Sequence, residues 1–267
     1  MKRTAAVAGA FYPANAPSLE KLVKQYTIAD KESVKAIGVV SPHAGYVYSG
    51  SVAGRVYASI RIPSDVIIIG PNHTGYGSRA GIISEGVFDM PGFGMEIDTE
   101  LASLIMNNTG IVTEDHEAHA AEHSLEVQLP FIHFKNPETK IVPICVMGRG
   151  FDFVRSIGEA IAAAVKSSKK DVLIVASSDM THYEPDAIAR KKDRLAIDKV
   201  LSLDPKGLLQ VTSEHDITMC GVIPAAIMLV SAKLLGAKEA KLVDYKTSGD
   251  VTKDFEEVVG YAGIIIV

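Results

Sequence analysis

Tryptophan is absent from the 267 residues, cysteine occurs only twice, and aromatic residues of all kinds make up 6%. Cys145 and Cys220 lie far apart and form no C-x-x-C pair, which excludes a disulfide framework and an all-cysteine zinc site. So few thiols predict a reducing, cytoplasmic home. No apolar run approaches the ~20 residues of a membrane-spanning helix, the closing Gly263-Ile-Ile-Ile-Val267 included. Met1-Lys2-Arg3 imitates the charged head of a secretion signal, but the stretch from Thr4 to Phe11 is short, Ala-rich and interrupted by Gly9. There is no cluster of Lys and Arg either: 27 such residues against 32 acids give a net charge of −5, no electrostatic footprint for nucleic acid or an anionic membrane. The chain has no G-x-x-x-x-G-K-[ST] loop, no G-x-G-x-x-G and no G-x-S-x-G elbow. A small-molecule, peptide or protein ligand is expected instead.

What is present is an ordinary globular composition, 47% hydrophobic and 22% charged. Runs of β-branched residues alternate with stretches of helical periodicity, which predicts an α/β fold: one three-layer αβα domain over residues 1–267 with a mostly parallel central sheet. Strands are expected at Ala36–Ser41, Val66–Gly70, Lys140–Met147, Asp171–Ser177 and Val259–Val267, with weaker ones at Gly81–Glu85 and Lys241–Lys246. Helices are expected at Ser18–Gln25, Ser49–Ser59, Thr99–Asn107, Ala120–Phe131, Asp152–Ser168, Pro185–Ser202 and Cys220–Leu235. No Gly-, Pro- or Ser-rich linker divides the chain, and no internal repeat is visible.

One local pattern recurs three times. Ile37-Gly-Val-Val-Ser-Pro-His43, Val66-Ile-Ile-Ile-Gly-Pro-Asn-His73 and Val172-Leu-Ile-Val-Ala-Ser-Ser-Asp179-Met-Thr-His182 are each a buried strand running into a polar turn with histidine. Parallel strands end on one edge of a sheet, where open α/β folds place their ligand crevice, so histidines remote in sequence are expected to converge. Converging neutral imidazoles suit a divalent transition metal. Cys220, at the expected start of an apolar helix, is a candidate third donor, because the helix's positive end favours a thiolate.

His116-Glu-Ala-His119-Ala-Ala-Glu122-His123-Ser-Leu-Glu126 is a second constellation. On a continuous helix, His119, Glu122, His123 and Glu126 would share a broad face. His119 to His123 also reads H-x-x-E-H, the pattern of inverted zinc peptidases. Asp179 is placed either to orient His182 or to cap the following helix. Tyr46 and Tyr48 follow His43 closely enough to line its crevice.

These motifs, together with Arg3-Thr-Ala-Ala-Val-Ala-Gly-Ala-Phe-Tyr-Pro13, Ser41-Pro-His-Ala-Gly-Tyr46, Gly70-Pro-Asn-His73, Glu122-His-Ser-Leu-Glu126 and Ser177-Ser-Asp-Met-Thr-His182, resemble the Memo family over nearly the whole chain. That family is named for a mediator of ErbB-receptor-driven cell motility, has microbial relatives, and is similar in fold to class III extradiol ring-cleaving dioxygenases, which use non-haem Fe(II). The resemblance implies metal ligands at His43, His73 and Cys220, an acid/base at His182 with Asp179 beside it, and Glu122 and His123 at the same pocket. It also implies radical SAM and AMMECR-type proteins as partners. The dioxygenases have a carboxylate where Cys220 stands; a thiolate is softer and accepts copper or zinc as well as iron.

Three readings follow from the sequence. The first is an iron or copper protein performing oxygen-dependent redox chemistry on a small substrate. The second is a peptide- or protein-binding groove at the same pocket, contacted through Tyr46, Tyr48 and His123. The third is a zinc hydrolase built on His119, Glu122 and His123.

Overall fold

A computed structural model of the chain describes residues 1–28 and 33–267. In chain order the elements begin β1 (Lys2–Thr4), α1 (Ala16–Tyr26), β2 (Gly38–Ser41), α2 (Tyr46–Ala58), β3 (Asp65–Pro71), β4 (Ala80–Ile82), β5 (Val87–Met90), β6 (Phe93–Glu96), α3 (Thr99–Asn108) and β7 (Thr113–Glu114). Next come α4 (Glu117–Ala120), a 3-10 turn (Glu126–Gln128), α5 (Leu129–Lys135), β8 (Lys140–Val146), α6 (Phe151–Ser168), β9 (Val172–Ser177) and β10 (His182–Glu184). The chain finishes with α7 (Asp186–Leu201), α8 (Pro205–Glu214), α9 (Val222–Leu234), β11 (Ala240–Thr247), α10 (Gly249–Thr252) and β12 (Val258–Ile266).

The expected layering is present. β2, β9, β3 and β8 lie side by side and parallel at the centre of the large sheet. Antiparallel neighbours flank them, β12 on β2 and β4 on β8. Alternate residues of each central strand enter opposite cores: Val40, Ile67, Ile69, Val142, Ile144 and Ile174 on one face, Val39, Val66, Ile68, Ile141, Leu173 and Val175 on the other. Burial on both faces is why these strands read as unbroken apolar runs rather than as alternating ones. Helices α3, α6, α7, α8 and α9 cover the first face. The second is covered by α1, α2, α5 and the small sheet β1-β5-β6. The β2-to-β3 and β8-to-β9 crossovers run in opposite directions along the sheet and use opposite faces, as right-handed connections require.

One expected element does not form. Residues 120–131 are not a continuous helix: α4 stops at Ala120, an irregular stretch and the 3-10 turn follow, and α5 starts at Leu129. Pro130 stands in the first turn of α5, where its missing N–H is harmless, and it would disrupt a helix arriving from Glu126. The intervening backbone N–H groups of His123 and Ser124 bond the Glu122 carboxylate instead. α8 had no expected counterpart, since Pro205 and Gly207 resemble a turn; Asp204 caps it by accepting the Gly207 N–H at 2.8 Å.

Candidate metal centre

The carboxyl ends of β2, β3 and β9 deliver the three histidine-bearing loops to one sheet edge. Two glycines let other segments close on that edge. A Cβ on Gly70 would run into the Ser124 hydroxyl, and one on Gly221 would run into the Ser177 carbonyl. Gly70 therefore seats the Glu122–Ser124 segment against β3, and Gly221 seats Cys220 against the end of β9.

His43 is almost fully buried. Its backbone N–H and that of Ala44 donate to Asp179 Oδ1 at 2.7 and 3.3 Å, and its Nδ1 lies 2.9 Å from Ser177 Oγ. Glu122 takes both ends of His73, its Oε2 accepting the backbone N–H at 2.6 Å and its Oε1 standing 2.9 Å from ring Nδ1. The His123 ring stacks on His73 with centroids 4.7 Å apart, and the tilted Phe11 ring also lies 4.7 Å from it. One nitrogen from each of His43, His73 and His123 lies within 4.8 Å of the other two. Cys220 Sγ is 3.2 Å from His43 Nε2 and accepts the Asp179 N–H at 3.3 Å.

Burial disfavours the charged form of the His43 and His123 rings. Burial, aided by His73 and His123, holds His43 well below the ordinary histidine value, and burial lowers His123 too. Burial works to raise Glu122, but the His73 hydrogen bond and attraction and the Ser124 and His73 N–H groups outweigh it, bringing the carboxyl down to about 2. Burial lifts Asp179 to about 6 against its bond from the His43 N–H. Burial and the Asp179 charge push the Cys220 thiol up, and Cys220 sits in the turn before α9 rather than in its first turn. The expected placement of Cys220 at the first residue of the apolar helix is thereby corrected.

Other expectations are corrected by position. Asp179 makes no hydrogen bond to His182: its Oδ1 accepts from the His43 and Ala44 N–H groups, while His182 donates its N–H to Thr218 Oγ1 at 2.7 Å and rests Nδ1 on the Thr218 carbonyl at 2.9 Å. It caps no helix either, since α7 begins after Pro185. Tyr46 packs inward, its ring 4.9 Å from Phe131 and its hydroxyl donating to the Val127 carbonyl at 2.6 Å, whereas Tyr48 is exposed. His119 stands apart from the three clustered rings; its Nε2 is 3.0 Å from the Gly81 carbonyl, and burial lowers it to about 4. With no helix linking it to His123, the shared face assumed for an H-x-x-E-H site does not exist. Cys145 is fully buried in the β8 core.

Sequence reasoning missed the residues that hold the site from behind: Ser177, Ser124 and Gln128 under His43, Phe11 beside His123, and Arg3. The Arg3 guanidinium pairs with buried Glu126 and donates to the His119 and Glu122 carbonyls at 3.1 and 2.7 Å. Glu126 also accepts from Ala6 N, Val7 N and Tyr12 Oη. A polar Gln128 inside the run Leu125-Glu-Val-Gln-Leu-Pro-Phe131 was the available signal, because a buried polar side chain needs partners.

Comparison with known proteins agrees with the motifs. A family model described as Memo-like protein matches residues 3–265. A MEMO1 family protein of Methanopyrus kandleri is 39% identical, with 99% of each chain covered, and one of Aquifex aeolicus is 42% identical, with 98% of each covered. A third, from Methanothermobacter thermautotrophicus, is 41% identical over 98% of this chain and 99% of its own. The crystal structure of an uncharacterized protein from Escherichia coli K12 shares the fold with TM-score 0.57 at 13% identity, covering 86% of this chain and all of that one. With residues 3–265 matched by the family model and relatives near 40% identical over 98–99% of both chains, the chain belongs to the Memo family.

Proposed function

We propose that the protein binds a divalent or redox-active metal, iron first and copper or zinc next, at His43 and His73, with Cys220 as third donor and His123 against the same position. The observation that carries this reading is the meeting of His43, His73 and His123 nitrogens within 4.8 Å, from three segments remote in sequence. The donors suit such an ion: neutral imidazoles and a sulfur are the ligand types of first-row transition metals. Glu122 on His73 Nδ1 is the carboxylate partner that metal-bound imidazoles ordinarily carry. When bound, such an ion supplies Lewis acidity toward a hydroxylated aromatic substrate and oxygen-dependent redox chemistry.

The chain's own groups have distinct tasks in this reading. His182, its Nδ1 engaged by Thr218, keeps Nε2 to take a proton from a substrate hydroxyl and return it. Asp179 holds the His43 loop by its backbone, and Tyr48 flanks the substrate at the rim. Anaerobic titration with Fe(II) and Cu(I) tests the assignment: wild type should take up one equivalent and His43→Ala should lose it. Equal uptake by both would remove the metal role.

A second reading has its own support in the exposed Tyr48, Tyr76 and Tyr183, which follow His43, His73 and His182 by five, three and one residues. There the rim receives a peptide and the metal is incidental. Peptide capture that survives a chelator would favour it.

A further inference from the structure

We propose that Ser177 is a positioning residue that fixes His43 as its Nδ1–H tautomer and so leaves the Nε2 lone pair facing Cys220 and the clustered rings. The proposal rests on the metal reading above for its purpose, though not for its geometry.

The argument is an inventory of protons. A serine hydroxyl has one proton to give and two lone pairs to fill. Ser177 Oγ, fully buried, has three neighbours: the Ser124 carbonyl at 2.6 Å, Gln128 Nε2 at 2.9 Å and His43 Nδ1 at 2.9 Å. The Ser124 carbonyl can only accept, so the single Ser177 proton goes there. The orientation of Gln128 is set independently. Its Nε2 also lies 2.9 Å from the Pro42 carbonyl, which can only accept, and its Oε1 accepts the Tyr57 hydroxyl at 2.9 Å. Gln128 Nε2 therefore donates to Ser177 and fills one lone pair.

One lone pair remains, and His43 Nδ1 faces it. The opposite tautomer would set two lone pairs against each other between groups that are 0% and 2% exposed, where the repulsion is costly. His43 Nδ1 must carry the ring proton, and Nε2 is left bare 3.2 Å from Cys220 Sγ.

The neighbouring rings obey the same rule by simpler means. His73 Nδ1 faces a carboxylate and His182 Nδ1 faces a carbonyl, neither of which donates. Only His43 depends on a hydroxyl whose direction must itself be set. Ser124 and Gln128, which set it, lie on the segment that carries Glu122 and His123, so a single stretch of chain governs the proton on two rings.

The test uses full-length apo protein labelled with 15N-histidine, with His43 assigned by the signals lost in His43→Gln. Long-range 1H–15N correlations of wild type should show His43 protonated at Nδ1; protonation at Nε2 would overturn the proposal. In Ser177→Ala the pattern should shift toward Nε2–H. Zn(II) affinity, read by competition with a chromogenic chelator, should fall about 10- to 100-fold, as for other lost partners of ligand histidines. Ser177→Thr, which keeps the hydroxyl, should restore both. An unchanged tautomer and affinity in Ser177→Ala would overturn the proposal, and should that variant not fold, the wild-type spectrum decides. Wild type that binds no metal yet shows the Nδ1–H pattern would sink the metal reading alone.

Discussion

Glu122 holds His73 at two points at once, through the backbone N–H at 2.6 Å and the ring at 2.9 Å, so loop position and ring orientation depend on one carboxylate. Glu122→Gln keeps the shape but puts an amide where two acceptor oxygens are needed. Metal affinity should fall about 10- to 100-fold while the fold survives, read by competition titration and circular dichroism. An affinity equal to wild type would show that Glu122 does not support a ligand.

Cys220 and His123 can be separated by spectroscopy. Cobalt-substituted wild type should display a sulfur-to-metal charge-transfer band, absent from Cys220→Ser, because Sγ already stands 3.2 Å from His43 Nε2. His123→Ala should keep the band and bind more weakly. A wild-type spectrum without the band would transfer the third-donor role to His123.

Glu126 is completely buried and serves four donors from the first twelve residues. Removing one partner of a buried ion pair strands the other, at about 3–5 kcal/mol. Arg3→Ala and Glu126→Ala should each lose stability of that order in urea unfolding. Losses below about 1 kcal/mol would mean that water enters and satisfies the remaining group.

Asp65 and Asp98 give opposite pH signatures at the other end of the sheet. Burial works to raise Asp98, but bonds from Asp65, Lys170 and the Leu101 N–H outweigh it and bring it to about 2. Its contribution is complete above the unfolded value near 4 and disappears as pH falls through about 2. Asp65 is raised, first by burial and then by facing Asp98, so its ionised form costs stability as pH rises through its folded value. Asp65→Asn should therefore gain stability at pH 7, and Asp98→Asn should lose stability there and flatten the acid limb. Denaturant melts across pH 2–7 would expose a wrong sign.

The central strands were legible because both faces of a parallel sheet are apolar, and the three histidine turns because strand ends gather on one edge. Helix α8 was hidden by Pro205 and Gly207, and the 120–131 segment was misread because helical spacing would put His119, Glu122, His123 and Glu126 on one face. Glu122, Glu126 and Gln128 are in fact buried, each bonded to chain that is distant in sequence. Local periodicity carries no trace of such long-range partners. The orientation of His182 was out of reach for the same reason, since Thr218 is brought to it only by the packing of the loop before α9.

Phe11 against His123 has a consequence for assembly. Side chains from the opening stretch, the two early crossovers, the middle excursion and the last third of the polypeptide must all be docked before the pocket exists, so a half-formed intermediate offers a cation nothing to grasp. Occupancy would then report finished molecules only, and ion capture would act as a late latch on the native state, raising its melting temperature in proportion to the logarithm of free ion.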